Sequence, residues 1–335
     1  MSKKTALVIL AAVAAVALAA VIGIIFNRTT NLKESAGFPK SLRPKDSKAV
    51  IALSVLTLGN PGFRTLADAM RAEAAKHGYD LIVVSGDLDP ARQKNQVQNF
   101  IVQKVDAIVL CPCDSITVGT AIKEANKAAI PVFTTDIACL AEGAEVVCHT
   151  AADNYLGGRQ AGKAVIEALG GNGRVAIVDH PEVESVIQRT KGFMDELEKA
   201  RRNQGLDIAI VARVPGHGEQ PEAFKATEDI LQGHPDLDAI FAINDPTAMG
   251  VIAAIEKAGR TGKVKVVGFD GMKMGRQAVK DGKMYAEPVQ HLDEMGRKTA
   301  KLIAKYMNGE EIPSEFLIPT TLYRKTDADK YPELN

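Results

Sequence analysis

Two hydrophobic rhythms alternate along most of this chain. Residues 49–55, AVIALSV, form an unbroken β-rich run, the pattern of a strand buried on both faces. Residues 64–77 then place Leu66, Ala69, Met70 and Ala74 on one helical stripe, and Gly78 supplies a stop. The alternation continues with strands predicted at 81–84, 107–110 and 131–134 and helices at 90–103 and 118–128. After Asp153 it starts again with helix 156–169, halted by Gly170-Gly171-Asn172-Gly173. Strands at 175–178, 208–211, 239–242 and 264–268 follow, separated by helices at 186–201, 222–231 and 247–258. A last helix, 292–307, and a tail, 316–323, fit either half. The pattern predicts an α/β fold of two lobes, each a parallel sheet with helices on both faces. Such lobes bind their ligand at the carboxyl ends of the strands, in the cleft between them.

One segment breaks this rhythm. Residues 5–26 carry no charge and follow Lys3 and Lys4. A helix of that length spans about 33 Å, enough to cross a hydrocarbon core. The lysines place its N-terminus in the cytoplasm and the rest outside. An uncleaved anchor and a cleaved signal peptide are both open readings. Ala17-Leu18-Ala19 offers a small-residue cleavage site, yet the apolar run continues through Val21, Ile22, Ile24, Ile25 and Phe26. Residues 27–47 are polar, contain Pro39 and Pro44, and read as a linker.

Composition narrows the function. The 335 residues hold 41 basic and 41 acidic side chains, and beyond residue 26 the balance is 39 to 41, a net of −2. Nothing there favours nucleic acid, which needs clustered Lys and Arg. Trp is absent and aromatics are 5%, so the core must be built from aliphatic residues. The chain lacks G-x-S-x-G, H-E-x-x-H and G-x-x-x-x-G-K-[ST], so no enzyme, cofactor or metal motif is read from it. The six histidines show no metal-ligand spacing, His149 reads as structural, and His217 lies in a turn near the expected cleft. The four cysteines allow three full pairings, of which Cys139 with Cys148 would close a short loop.

Polar residues collect at the strand ends instead: Thr57-Leu58-Gly59-Asn60-Pro61, Cys111-Pro112-Cys113-Asp114, Thr135-Asp136, Ile243-Asn244-Asp245 and Phe269-Asp270-Gly271. Carboxylates and amides converging on a cleft suit a ligand with many hydroxyls. Taken singly, each Asn or Asp there is equally a helix cap or turn former.

With these residues in hand, the chain resembles the sugar-binding proteins of bacterial ABC importers, the ribose-binding type above all. The resemblance rests on Leu58-Gly59-Asn60-Pro61, Asp153-Asn154-Tyr155-Leu156-Gly157-Gly158, His234-Pro235-Asp236 through Asp245, and Val266-Val267-Gly268-Phe269-Asp270-Gly271. It runs nearly continuously from about 48 to 322. It implies a type I periplasmic binding fold: two Rossmann-like lobes with parallel sheets, joined by a three-crossover hinge and preceded here by the N-terminal hydrophobic helix. Lobe 1 would comprise 48–152 plus 291–318 and lobe 2 153–290 plus 319–335. The implied function is capture of a sugar, polyol or cyclitol by hinge closure and delivery to an ABC transporter permease, by a non-enzymatic, periplasmic monomer. A membrane-tethered receptor that presents its closed form to a sensor kinase or chemoreceptor is the alternative.

The resemblance carries ligand contacts onto Asn60, Phe63, Asp136, Arg189, Asn244, Asp270 and Gln290. It also exposes departures. Gly62 stands where the family has a second aromatic, Ile137 where an arginine follows the aspartate, and Cys111 where an amide closes the third strand. A second-lobe aromatic is missing near His217-Gly218. Cys111 and Ile137 therefore join the candidate contacts. Losing an aromatic cover and a five-donor guanidinium argues against plain ribose. The expectation is a different sugar, polyol or cyclitol, with an added group in the room left by Gly62.

Overall fold

The computed structural model describes residues 47–330. The anchor or signal read at 5–26 and all but the end of the linker lie outside the described residues. In chain order the elements are β1 (Ala49–Val55), α1 (Pro61–Lys76), β2 (Tyr79–Ser85), α2 (Pro90–Gln103), β3 (Ala107–Leu110), α3 (Val118–Lys127), β4 (Val132–Thr135) and β5 (Cys148–Ala152). Next come α4 (Asn154–Leu169), β6 (Asn172–Asp179), α5 (Glu184–Gln204), β7 (Asp207–Pro215), α6 (Gln220–Gly233), β8 (Ala239–Ala242) and α7 (Asp245–Lys257). The chain ends with β9 (Lys265–Val267), α8 (Lys273–Lys280), β10 (Ala286–Val289), α9 (Leu292–Met307), β11 (Glu315–Ile318), β12 (Thr321–Arg324) and α10 (Lys325–Ala328).

Two six-stranded sheets form two α/β lobes. The first is ordered β11-β5-β4-β3-β1-β2 and is parallel throughout. The second is ordered β12-β10-β9-β8-β6-β7 and is parallel except where β12 runs against β10. The chain passes from one sheet to the other three times: between β5 and α4, between β10 and α9, and between β11 and β12. Helix α9 returns to pack on α1, whereas α4 packs on α5 and on strands of the second sheet.

The central strands are the sequence's apolar runs, and they are wholly buried, as β1, β3 and β8 show. Several helices start earlier than apolar periodicity alone places them, α1 at Pro61 and α7 at Asp245 among them, whereas α2, α3 and α9 start where expected. Asn60, Asp89 and Asn244 cap α1, α2 and α7 through their side chains, and a proline sits in each first turn. Four elements escape the hydrophobic pattern: β5, α8, β10 and α10. Strand β5 reads CHTAA and β10 reads AEPV, so their burial is carried by polar or small residues. The tail that fitted either half serves both, β11 in the first sheet and β12 in the second. The loop disulfide is absent: all four cysteines are free, because Cys148 is buried within β5 while Cys139 lies part-exposed beyond β4.

The pairing of α4 with α5 depends on glycine. A Cβ at Gly158 would sit 2.0 Å from the Arg189 carbonyl oxygen, and one at Gly192 would sit 2.2 Å from the Tyr155 carbonyl oxygen. These contacts are reciprocal, so each helix needs its glycine for the other's backbone to approach. Gly158→Ala should therefore destabilise the protein by about 2 kcal/mol, since backbone cannot yield as a side chain can. Gly233→Ala, where nothing lies within 4 Å of the added carbon, should leave stability nearly unchanged. Thermal unfolding of the two variants checks this, and equal midpoints would contradict it.

Candidate functional site

Strand ends of both sheets open onto one narrow cleft with a cavity volume of about 40 Å³. The first lobe contributes Leu56, Asn60, Gly62, Phe63, Asp136 and Ile137; the second contributes His180, Val183, Ser185, Val186, Arg189, Asn244 and Asp270, with Gln290 and Leu292 at a crossing. Eight of the nine candidate contacts thus meet there: Asn60, Phe63, Asp136, Ile137, Arg189, Asn244, Asp270 and Gln290. Cys111 is the exception. It is fully buried behind the carboxylate, with its Sγ 3.8 Å from Asp136 Oδ2, and it does not line the cleft. Its place in the site is as backing for Asp136.

Arg189 organises the second-lobe wall. It rises from the first turns of α5 and is 3% exposed. Nε donates to Asn154 Oδ1 at 2.8 Å, and Nη1 donates to the Ile243 carbonyl at 2.7 Å and to Asp270 Oδ1 at 3.1 Å. Its guanidinium carbon lies 3.9 Å from the centre of the Phe269 ring. Asp270 is held from the other side by Gln290, whose Nε2 donates to Oδ1 at 2.7 Å. Burying a guanidinium is tolerable only with such a complete set of partners.

Asp136 faces this wall from the end of β4. Its φ is 65°, and Asp270 has φ 107°, both in the region that non-glycine residues avoid. Backbone strain at both cleft carboxylates is the mark of side chains aimed for a purpose other than packing. Burial pushes Asp136 up to about 6, with Arg189 pulling against that and the Asp270 carboxylate adding to it. Asp136 Oδ1 and Gln290 Oε1 are buried acceptors that find no hydrogen-bond partner among the described residues.

Beneath Asp270 lies a second pair of acids that sequence reading did not assign. Asp245 and Glu287 are wholly buried, and Asp245 Oδ1 and Glu287 Oε1 have no hydrogen-bond partner among the described residues. Asp245 Oδ2 accepts from Met272 N at 2.7 Å, and Glu287 Oε2 accepts from Gly271 N at 3.1 Å. Burial and, for Asp245, the neighbouring Glu287 carboxylate raise both groups above the ordinary carboxylate range. Together they clamp the turn that follows Asp270. Asp245 was visible as a strand-end acid, but Glu287 sits inside a strand and gave no signal.

The two cleft asparagines serve as caps as well. Asn60 Oδ1 accepts from Gly62 N at 2.8 Å, and its Nδ2 makes no hydrogen bond among the described residues. Asn244 Oδ1 accepts from Thr247 N at 2.8 Å, while Nδ2 donates to the Gly218 carbonyl at 3.1 Å. Capping fixes each rotamer, which is what a contact residue also needs.

The expectation for Gly62 requires correction. The space beside it is not left for a ligand group: an added Cβ would lie 2.7 Å from Leu292 Cδ1 and 3.2 Å from Met272 Sδ. These side chains from the crossing and from the second lobe fill the room an aromatic would take. Ile137 does line the cleft and offers it an apolar surface. The second-lobe position near Gly218 is filled by imidazole. His180 lines the cleft, burial lowers its proton affinity, and the exposed His217 meets it edge to face with centroids 5.9 Å apart. His180, Ser185 and Leu292 were not expected from the sequence; all lie just beyond strand ends or a crossing. His149 is structural, as expected, with Nδ1 2.9 Å from Thr134 Oγ1.

The lobes touch across the cleft mouth. Ser115 N donates to the Glu182 carbonyl at 3.1 Å, and Ser115 Oγ accepts from Glu184 N at 2.9 Å. Residues 51–311 match the family model described as periplasmic binding protein domain. The chain belongs to the periplasmic binding protein family. The ribose import binding protein of Escherichia coli is 35% identical to this binding protein over 280 residues, covering 83% of this chain and 92% of that one. A D-apiose import binding protein of Paraburkholderia graminis is 33% identical over 284 residues, covering 84% and 89%. Among solved structures, a solute-binding protein of Actinobacillus succinogenes with bound D-allose aligns with TM-score 0.77 at 33% identity, covering 85% and 100%. The Caulobacter myo-inositol binding protein aligns with TM-score 0.79 at 26% identity, covering 88% and 99%. The type I sugar-binding fold is thereby established, and the ribose and D-apiose relatives are named as import binding proteins. Nothing in them favours the sensor-kinase alternative.

The Asp136 shift makes stability depend on pH. Its carboxyl ionises at about 6 in the folded binding protein and near 3.9 when unfolded. The stability this group contributes is fully present below about pH 4 and is lost as pH rises through 6, on the order of 2–3 kcal/mol. Asp136→Asn should remove that dependence. Thermal midpoints of the ligand-free protein and the variant, measured from pH 4 to 7, should diverge with the variant gaining; parallel curves would contradict the assignment.

Proposed function

We propose that this protein captures a neutral polyhydroxylated ligand (a sugar, polyol or cyclitol) in the cleft and delivers it to the permease of an ABC importer. The observation that carries the reading is the pair of orphaned acceptors, Asp136 Oδ1 on the first lobe and Gln290 Oε1 at the crossing. Each costs about 1–3 kcal/mol while unpaired in a buried site, and a ligand hydroxyl donating to it recovers that energy. Phe63, Leu56, Ile137, Val183 and Val186 supply apolar surface for the C–H faces of a ring. Arg189 and Asn60 supply donors, and Asp136 and Asp270 supply charged acceptors.

Binding works by closure without chemistry. Ligand hydroxyls bonded to Asp136 on one lobe and Asp270 on the other favour the form in which Ser115 meets Glu182, because only that form makes both sets of contacts. The chain's relatives named for ribose, D-apiose and D-allose, and the more distant one named for myo-inositol, support this ligand class. Family membership also supports a periplasmic location and a non-enzymatic role. The candidate contacts Asn60, Phe63, Asp136, Ile137, Arg189, Asn244, Asp270 and Gln290 act as one set, with Cys111 behind them.

The test is calorimetric titration with D-ribose, D-allose, D-apiose and myo-inositol. At least one should bind with micromolar affinity or better, about −8 kcal/mol. Asp270→Ala should weaken that ligand by 2 kcal/mol or more, roughly 30-fold, since a charged acceptor for buried hydroxyls is lost. No binding across the panel, or an unchanged isotherm for Asp270→Ala, would overturn the reading.

A further inference from the structure

The second-lobe wall of the cleft carries a side-chain cluster outside the set of candidate sugar contacts. His180 follows β6, His217 follows β7, and Glu182 lies between the first of these and α5. The two histidines are 37 residues apart in sequence, which is why no ligand spacing is visible in it; parallel pairing of β6 with β7 brings their loops together. His180 Nε2 lies 3.6 Å from Glu182 Oε2, and His217 Nδ1 lies 3.9 Å from Glu182 Oε1. One donor atom from each of the three side chains falls within 4.8 Å of the others.

We propose that His180, Glu182 and His217 form a binding site for a zinc-class divalent cation at the rim of the cleft. Two imidazoles and one carboxylate are a donor set suited to zinc, nickel or copper, and unsuited to magnesium, which wants oxygen ligands in an octahedron. Tetrahedral zinc with bonds of about 2.1 Å holds its donors about 3.4 Å apart. The observed separations need only small rotations of Glu182 and His217, both exposed, about a His180 ring that burial already fixes. His217 has φ 49°, and Gly218, next to it, packs against the His180 ring, so the turn that presents the second imidazole is defined by its backbone. Three protein donors leave a fourth position open, and one of them, His180, lines the cleft. The same segment carries the Glu182 carbonyl that accepts from Ser115 of the first lobe, so a bound cation would stiffen one side of the interlobe contact.

Isothermal titration of the full chain with zinc chloride, run beside magnesium chloride, tests the site without reference to any sugar. Zinc should bind saturably at one equivalent and magnesium should not. Glu182→Gln and His217→Ala should each weaken zinc at least tenfold, while their thermal midpoints in chelator match the unaltered protein because both side chains are exposed. Absence of saturable zinc binding, or a double variant that binds zinc as tightly as the unaltered chain, would overturn the proposal. Because the readout is the metal isotherm, a negative result here is separate from silence of the sugar panel.

Discussion

A single buried guanidinium is the constraint on which the cleft depends. Arg189 ties Asn154, the first residue of α4, to the end of β8 at Ile243 and to Asp270 after β9. Asn154 in turn donates from Nδ2 to the Ala152 carbonyl at the end of β5, at 3.1 Å. Asp270 is joined by Gln290, at the next crossing, through two hydrogen bonds. One side chain therefore connects two of the three crossings between lobes with the floor of the second-lobe wall. Such a charge is expensive to bury, and it is worth its cost only where the partners must stay fixed relative to one another.

The rest of the second lobe is arranged to serve that residue. Gly158 and Gly192 let α4 and α5 approach until backbone meets backbone, which sets the height of Arg189 over the Phe269 ring. The buried Asp245 and Glu287 carboxyls hold the turn after Asp270 by accepting from the backbone of Met272 and Gly271. The first lobe needs less apparatus. Asp136 presents its carboxylate from a strained strand end, backed by Cys111, and leaves one oxygen open. A rigid acceptor on one side and a braced donor–acceptor wall on the other are what the proposed capture of a hydroxylated ligand requires.

The two-lobed α/β architecture was legible in the sequence because central strands of parallel sheets are continuous apolar runs and their helices carry clean stripes. Strands β5 and β10 were not, since their burial rests on Thr, His, Glu and Pro, which have no period to detect. At the site, eight cleft-lining residues followed from residues at strand ends together with the family pattern. What could not be read was relational. Gly62 signalled a missing aromatic, but only the packed structure places Leu292 and Met272 in the vacated room. His180 and His217 are separated by a helix and a strand, and only sheet pairing makes them neighbours. Cys111 occupies a contact position in sequence, yet it lies one layer behind the carboxylate.

The central claim is that one ligand bridges the lobes through the unpaired acceptors. A crystal structure grown with whichever sugar or cyclitol binds most tightly tests it directly. The account predicts ligand hydroxyls within hydrogen-bond distance of Asp136 Oδ1 and Gln290 Oε1, with Arg189 and Asp270 unmoved from their mutual contact. A ligand seated elsewhere, for example in the second-lobe cavity lined by Ile252, Glu256, Lys283 and Tyr285, would contradict it.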